Sequence, residues 1–140
     1  MKALGVHLLI DFYECDKASI AAVKSVEAVM LDAARAAKAT VVDSRFHGFS
    51  PHGVSGVVVI AESHLTVHTW PEHCFASVDI YTCGKTLDPR KAFDVLNAGF
   101  GAGRHVSSEI ERGSGSMTVK ITKAKTVSRS MAQRPTVARR

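Results

Sequence analysis

Hydrophobic residues recur with two different spacings along this chain of 140 residues, and each change of spacing marks a new element. From Leu4 to Tyr13 apolar and polar residues alternate loosely, which predicts a first strand. From Lys17 to about Lys38 apolar residues recur every three or four positions, which predicts a helix with one buried stripe. Asp16 stands where the N-cap of that helix is expected.

The middle of the chain returns to strand-like spacing. Thr40 to Phe49 is rich in β-branched and aromatic residues and is followed by the turn Ser50-Pro51-His52-Gly53. The continuous apolar run from Gly56 to Ala61 is typical of a central strand covered on both faces. The Asp88-Pro89 pair is a helix start signal. The remaining predicted elements are a strand from His64 to Trp70, a strand from Phe75 to Thr82, a helix from Arg90 to Ala98 and a strand from His105 to Ile110.

This order of elements predicts an α+β fold. Consecutive strands joined by short links favour a mainly antiparallel sheet, and the two helices then cover one face of it in a two-layer sandwich. The other face carries no helix, although the run from Gly56 to Ala61 is too apolar to face water. We therefore expect a second copy of the chain to cover that face, giving a homodimer or a higher homo-oligomer.

The excess of basic residues is confined to the end of the chain. Residues 113–140 hold seven basic residues and no acidic one, whereas residues 1–112 hold 11 basic and 13 acidic residues. We expect residues 1–112 to form the domain and residues 113–140 a basic, flexible tail, in which Val119 to Ile121 carries a weak edge-strand signal. The tail lacks interleaved aromatic residues for base stacking, so no nucleic-acid partner is expected.

The lengths of the apolar runs and the spacing of the cysteines indicate the cellular compartment and the kinds of site to expect. No run has the length of a membrane span and no signal peptide is visible, so we expect a cytoplasmic protein without a membrane partner. Cys15, Cys74 and Cys83 form no Cys-x-x-Cys pair, and their odd number predicts at least one free thiol rather than a disulfide framework. Nor do His68, His73, Cys74 and Cys83 have the paired short spacings of a zinc site, so no metal is predicted.

Candidate chemistry is concentrated around Ser63. The segment offers the Ser63 hydroxyl, the imidazoles of His64 and His68, and the Cys83 thiol after the next predicted strand. A serine hydroxyl is a poor nucleophile unless a neighbouring base takes its proton. Most Ser-His pairs this close in sequence are structural, so the residues alone leave two interpretations open: a polar strand edge and a reactive serine.

A longer pattern resembles a known family. The run from Gly53 to Glu72, which contains Glu62-Ser63-His64 and His68-Thr69-Trp70-Pro71, is followed by Asp79-Ile80-Tyr81-Thr82-Cys83-Gly84. Together these segments closely resemble the short, prokaryotic-type S-adenosylmethionine decarboxylases. The resemblance extends from about Gly5 to Gly113 and leaves out only the basic tail.

The resemblance implies a proenzyme that makes a pyruvoyl cofactor from its own chain. The Ser63 hydroxyl would attack the Glu62 carbonyl, and the chain would separate into residues 1–62 and 63–140 with a pyruvoyl group at position 63. Ser55 and His68 would assist, His68 by moving the proton. The ketone would form a Schiff base with the amino group of S-adenosylmethionine and serve as electron sink for the loss of carbon dioxide.

The same resemblance assigns substrate roles. Cys83 would return a proton to the α-carbon, a role that suits a thiol because an ordinary cysteine is mostly protonated at neutral pH. Phe49 would stack on the adenine, and Glu72 would hold the ribose hydroxyls. The product would be the aminopropyl donor for spermidine biosynthesis.

Strand geometry separates two of these residues. Ser63 and His68 are five positions apart on one predicted strand, so their Cα atoms lie about 16 Å apart and their side chains point to opposite faces. We therefore expect a composite site, in which Ser55, His68, Phe49 and Glu72 of one protomer face Ser63 and Cys83 of the other.

Two departures from the family pattern keep other functions open. His73-Cys74 stands where Tyr-Gly is commoner, and His52 stands where an aromatic residue or an amide is frequent. One alternative is a pyruvoyl-dependent decarboxylase of another amino acid, such as ornithine or arginine. The other is a homologue that does not process and only binds a ligand or a partner chain.

Overall fold

A computed structural model describes residues 2–124, which form one antiparallel sheet and two helices. The strand order is β2-β3-β4-β5-β1-β6-β7. Short 3₁₀ turns precede α1 (Ala18–Ile20) and join β4 to β5 (Pro71–His73). The elements are β1 (Gly5–Tyr13), α1 (Val23–Ala36), β2 (Val41–Gly48), β3 (Val54–Ile60), β4 (Ser63–Trp70), β5 (Phe75–Thr82), α2 (Pro89–Gly99), β6 (Arg104–Arg112) and β7 (Val119–Ala124).

The predicted α+β two-layer sandwich is confirmed. Both helices pack on one face of the sheet, where α1 and α2 also contact each other. The core between the layers is apolar because each strand turns alternate side chains towards the helices. The largest fully buried side chains include Ile10, Phe12, Met30, Leu65, Ile80, Leu96 and Phe100.

The prediction of a single helix from Lys17 to Lys38 is wrong in one respect. The segment is divided into a 3₁₀ turn and α1. Ala22 is extended, with φ −106° and ψ 140°, and separates the 3₁₀ turn from α1. At the break Ile20 is fully buried, and its carbonyl accepts a hydrogen bond of 2.9 Å from the Thr69 hydroxyl on β4. The tertiary contact takes a carbonyl that a continuous helix would have used internally.

The two predicted helix caps differ in outcome. The Asp88 carboxylate accepts from the Arg90 N–H at 3.0 Å, with Pro89 at the first helical position, so this cap is confirmed. The Asp16 carboxylate accepts from the N–H and hydroxyl of Ser19. Asp16 therefore binds a residue within the 3₁₀ turn, whose N-cap is Lys17, and it does not cap α1, whose N-cap is Ala22.

The sheet has one face without helices, which we call the open face. In the central strand β5 every second residue is buried, and the others point to the open face. The open face of β5 is consequently polar and aromatic, with Phe75, Ser77, Asp79 and Tyr81. The residues of the neighbouring strands that share the register of these four side chains also point to the open face. They are His64, Thr66, His68 and Trp70 on β4 and His7, Leu9, Asp11 and Tyr13 on β1.

The apolar run in β3 does not lie at the centre of the sheet. β3 is second from the edge, between β2 and β4. Within one chain its open face is uncovered, and the Val59 side chain there is 40% exposed. On the other face Gly56 is required by packing, because a Cβ atom at this position would collide with the Phe46 ring on β2.

The end of the described chain adds a strand to the sheet. β7 pairs with β6 from Ile110↔Val119 to His105↔Ala124, which confirms the edge-strand signal at Val119 to Ile121. Residues 125–140 lie outside the described residues, so the flexible tail remains a prediction there. Within residues 2–124 no helix is long and apolar enough to cross a membrane.

Candidate active site

Ser63 opens β4 directly after a tight turn, and its backbone is strained. Its φ is 148°, in the half of conformational space that favours glycine. A non-glycine residue held in such a region costs about 1–3 kcal/mol. Ser63 pairs with Ile60 on β3 and with Thr82 on β5, so two neighbouring strands hold the unusual conformation in place.

The carbonyl oxygen of Glu62 belongs to the peptide bond that joins Glu62 to Ser63. This oxygen accepts two hydrogen bonds, both from Cys83. The backbone N–H of Cys83 donates to it at 2.8 Å and the Cys83 thiol at 3.0 Å. The pairing of Ser63 with Thr82 explains this placement, because it brings Cys83, the residue after β5, opposite Glu62, the residue before β4. Two donors on one carbonyl polarise it and would stabilise negative charge that develops on its oxygen.

The Glu62 side chain is held separately. Its carboxylate accepts from the Thr40 backbone N–H at 3.2 Å and from the Thr40 hydroxyl at 3.3 Å. The Thr40 carbonyl in turn accepts from Ala61 N–H at 2.9 Å. Sequence reasoning missed Thr40, since it is 22 positions from Glu62 and only the β2–β3 pairing brings the two together. We call Thr40, Glu62, Ser63 and Cys83 the serine end of the sheet.

Aromatic and acidic side chains border the serine end on the open face. His64 Nδ1 lies 3.5 Å from Ser63 Oγ, and the His64 ring packs against Tyr81 with centroids 5.7 Å apart. His7 lies on the far side of Tyr81, and its Nε2 is 3.7 Å from the Asp79 carboxylate. Burial lowers the pKa of His7, an effect that the Asp79 charge opposes. The site therefore favours a neutral imidazole at His7.

Ser55 and His68 meet at the other end of the open face, which we call the histidine end together with Phe49 and Trp70. Ser55 on β3 is the direct register partner of His68 on β4, and its hydroxyl hydrogen-bonds to Nδ1 of the imidazole. The His68 ring lies 4.7 Å from the Trp70 ring and 6.0 Å from the Phe49 ring, centroid to centroid. Phe49 is 48% exposed. An imidazole, a hydroxyl and an exposed aromatic face are thus assembled from three segments.

A depression of about 650 Å³ runs along the open face beside the histidine end. Its floor contains Ser55 and His68, and charged groups of both signs border it, Arg45 from β2 and Asp79 from β5. Glu72 is in the 3₁₀ turn that follows Trp70, with an exposed side chain. The volume of the depression lies within the range of typical small-molecule pockets, about 300–1,000 Å³.

The predicted site residues therefore form two groups. The structure brings Ser63 to Glu62 and Cys83, and it brings Ser55 to His68 and Phe49. It does not bring His68 to the Ser63 of the same chain, because five residues of β4 separate them by about 16 Å. Among residues 2–124 no three or more His, Cys, Asp or Glu side chains are arranged to hold a metal ion.

Comparisons with known proteins point to one family. The family model of S-adenosylmethionine decarboxylase matches residues 6–113. The chain is 53% identical over 113 residues to the S-adenosylmethionine decarboxylase proenzyme of Thermotoga petrophila, covering 81% of this chain and 87% of that one. It is 48% identical over 113 residues to the proenzyme of Acidithiobacillus ferrooxidans, covering 81% and 85%.

Solved structures agree at the level of the fold. The adenosylmethionine decarboxylase of Aquifex aeolicus superimposes with a TM-score of 0.76 at 38% identity, covering 81% of this chain and 93% of that one. A decarboxylase monomer from Trypanosoma brucei shares the fold alone, with a TM-score of 0.55 at 16% identity, covering 75% of this chain and 45% of that one. On the family match and on these identities, the chain belongs to the S-adenosylmethionine decarboxylase family.

Proposed function

We propose that this chain is a proenzyme that cleaves itself between Glu62 and Ser63 and then decarboxylates S-adenosylmethionine. The observation that carries the proposal is the pair of Cys83 hydrogen bonds to the Glu62 carbonyl, next to a serine with strained backbone. A carbonyl with two donors is the one that a nucleophile attacks most readily, and the nucleophile is the adjacent Ser63 hydroxyl.

In this proposal cleavage takes two steps, an acyl shift and an elimination, and a hydrolysis then completes the pyruvoyl group. Ser63 Oγ bonds to the Glu62 carbonyl carbon, its proton leaves to a base, and the Cys83 donors bear the negative charge on the oxygen. The carbon–nitrogen bond then breaks, the nitrogen gains a proton, and an ester replaces the peptide bond. Removal of the Cα proton of residue 63 next breaks the bond between Cβ and the ester oxygen. Glu62 is released as a new C-terminus, and hydrolysis of the remaining dehydroalanine expels ammonia and leaves the pyruvoyl group.

The base belongs to the partner subunit in this proposal. His68 is about 16 Å from the Ser63 of its own chain, and Ser55 bonds to the His68 ring there. A two-fold axis that lies parallel to the sheet and perpendicular to its strands would turn the open face of a second copy towards the first and reverse its strand direction. Its histidine end would then lie opposite the first serine end. The uncovered polar and aromatic open face, including the half-exposed Phe49, supports a dimer of this kind. Each dimer would then contain two composite sites.

The residues at the two ends fit a pyruvoyl group at position 63. When present, this group supplies an electron sink for decarboxylation of an amino acid. Cys83 already places its thiol 3.0 Å from the Glu62 carbonyl oxygen, so it can hold a proton for the α-carbon at that position. Phe49 and Glu72, by family resemblance, would bind the adenine and the ribose. The product would be the aminopropyl donor for spermidine biosynthesis.

In this proposal the enzyme is located in the cytoplasm. The cysteines of the described chain, Cys15, Cys74 and Cys83, are all free thiols, as is usual in a reducing compartment.

Two measurements on the purified protein test the proposal. Intact-mass analysis should find two chains, residues 1–62 and the modified residues 63–140, and borohydride reduction should add hydrogen to the longer chain only. Carbon dioxide release should be measured from carboxyl-labelled S-adenosylmethionine, ornithine and arginine in parallel. We expect release from S-adenosylmethionine. A single uncut chain would contradict the cleavage, and release from ornithine or arginine alone would contradict the substrate.

A further inference from the structure

Two cysteines that the proposed chemistry does not use lie side by side at the end of the sheet remote from Ser63. The backbone N–H of Cys15 donates to the Cys74 carbonyl at 2.9 Å. A backbone nitrogen lies about 1.5 Å from its own Cα and a carbonyl oxygen about 2.4 Å from its own, so the two Cα atoms are at most about 6.8 Å apart. Disulfides span Cα separations of about 4.4–6.8 Å, so this pair is within range.

The thiol of Cys15 faces the segment that carries Cys74. Cys15 is only 4% exposed, and burial is the main reason why its pKa is raised to about 12. The neighbouring Cys74 raises it as well, whereas a hydrogen bond from the Ala76 N–H lowers it. Both neighbours belong to the same short segment, which places the Cys15 sulfur beside it. Cys74 is half-buried and has left-handed backbone, with φ 49°.

We propose that Cys15 and Cys74, which are hydrogen-bonded to each other through the backbone, form a disulfide on oxidation that joins the two chains of the cleaved enzyme. The second part rests on the proposed cleavage at Glu62–Ser63, because Cys15 lies in residues 1–62 and Cys74 in residues 63–140. Oxidation would then restore a covalent connection between the fragments that processing had separated.

A small disulfide such as glutathione disulfide is the oxidant, and the exchange is balanced. The thiolate of Cys74, the more accessible of the two, attacks one sulfur of the oxidant and expels one thiolate. Cys15 then loses its proton and attacks the Cys74 sulfur, expelling the second small thiolate. The two protein thiols lose two electrons and two protons in total, and the small disulfide becomes two thiols. The buried Cys15 makes the second step the slower one, because only a thiolate attacks.

The bond would constrain a functional turn as well as the two fragments. Cys74 ends the 3₁₀ turn Pro71–His73 and its N–H donates to the Pro71 carbonyl at 3.1 Å. That turn carries Glu72, which the proposed function assigns to substrate binding. Oxidation would therefore tie the end of β1 to the substrate side of the site.

The remaining cysteine provides an internal control. Cys83 follows the far end of β5, and the eight residues of that strand separate it from Cys74 by roughly 25–30 Å. Cys83 therefore cannot bond to Cys15 or Cys74 of the same protomer, and it should stay available to an alkylating reagent after oxidation.

The experiment uses the purified, processed enzyme incubated with glutathione disulfide, blocked with N-ethylmaleimide and separated under denaturing, non-reducing conditions. We expect most of the protein to migrate as one species that dithiothreitol separates into the two fragments. Peptide mapping should find Cys15 linked to Cys74 and maleimide on Cys83. In Cys74→Gly, where glycine accepts the left-handed backbone, the fragments should separate with or without dithiothreitol.

Three outcomes would overturn the inference. The first is separate wild-type fragments with maleimide on both Cys15 and Cys74 after oxidation. The second is a linked species that persists in Cys74→Gly, and the third is glutathione retained on Cys74 with Cys15 alkylated. A chain that never cleaves would instead contradict the proposed function. In that case the disulfide is still tested, because oxidation should reduce the number of maleimide groups per chain from three to one.

Discussion

The serine end of the sheet and the histidine end of the open face belong to the same sheet, but each has chemical groups that the other lacks. At the serine end the backbone is strained, and two donors from Cys83 converge on the Glu62 carbonyl. At the histidine end the His68 ring is hydrogen-bonded to Ser55 and lies between the aromatic rings of Phe49 and Trp70. One end has a carbonyl that accepts two hydrogen bonds, and the other has an imidazole and a ligand-sized depression.

The difference shows how strand geometry divides a site. Residues on one β-strand cannot serve a common atom when five positions separate them, because the strand is rigid and extended. A second copy of the same face, turned by a two-fold axis, supplies the missing half without any change in either chain. Three predictions test this division, beginning with the largest expected effect, and a fourth tests how the burial of two histidines affects stability.

The two serines separate the roles of the two ends. Ser63→Ala removes the nucleophile, so we expect no cleavage and a single chain by intact mass. Ser55→Ala leaves the nucleophile and removes only a hydrogen-bond partner of His68, so cleavage should persist at a rate lower by about tenfold to a hundredfold. Ser25→Ala, on the exposed side of α1, is the matched control and should cleave at the normal rate. Cleavage of Ser63→Ala would place the cut elsewhere.

A mixed dimer tests whether the base crosses the interface. His68→Ala alone should cleave at least about a hundredfold more slowly than the unaltered chain, as expected for loss of a general base. Co-expressed with Ser63→Ala and purified through two different tags, the His68→Ala chain should cleave again, because its partner supplies His68. The Ser63→Ala chain should stay intact. A doubly tagged dimer in which neither chain cleaves would contradict the composite site.

Cys83 tests the donors at the serine end. Cys83→Ala removes the thiol but keeps the backbone N–H, so one of the two hydrogen bonds to the Glu62 carbonyl remains. Loss of one such donor should slow cleavage on the order of tenfold to a hundredfold. Cys83→Ser keeps a donor and should be slowed less. Timed intact-mass analysis of freshly translated protein measures the rates, and equal rates for all three chains would show that the thiol bond is unimportant for cleavage.

The smallest effect is the pH dependence of stability. Burial lowers the pKa values of His7 and His105 from 6.5, so below pH 6.5 the unfolded chain binds more protons than the folded one at these sites. The unfolding free energy should therefore fall as the pH drops through this window. In Ser63→Ala, which stays uncut, we expect the melting temperature to fall by about 2–5 °C between about pH 7.5 and about pH 5.5.

His7→Gln in the same background should have a smaller fall over that range. Asp11 acts in the opposite direction at lower pH, since burial raises its pKa from 3.8 and the folded chain then binds the extra proton. A melting temperature that rises on acidification from neutral pH, or an unchanged slope in His7→Gln, would contradict the assignment to this histidine.

Local patterns in the sequence correctly predicted several features of the fold. The alternation in Phe75 to Thr82 predicted β5 with its observed bounds, and Asp88-Pro89 predicted the start of α2. The division of the first helix did not follow, because the competing hydrogen bond at Ile20 comes from Thr69, 49 positions away. The same limit applies to the site, where Thr40 holds Glu62 across a strand pairing that leaves no mark in the local sequence.

By itself the sequence determined the strand and helix content, the resemblance around Glu62-Ser63-His64, and the separation of Ser63 from His68. These depend on spacing along one chain, which is set by the rise of about 3.3 Å per strand residue. Only the tertiary structure decided that Cys83 donates twice to the Glu62 carbonyl and that Ser55 meets His68. It also decided that Cys15 lies against Cys74. Such contacts depend on strand order and register, which many residues far apart in the sequence determine together.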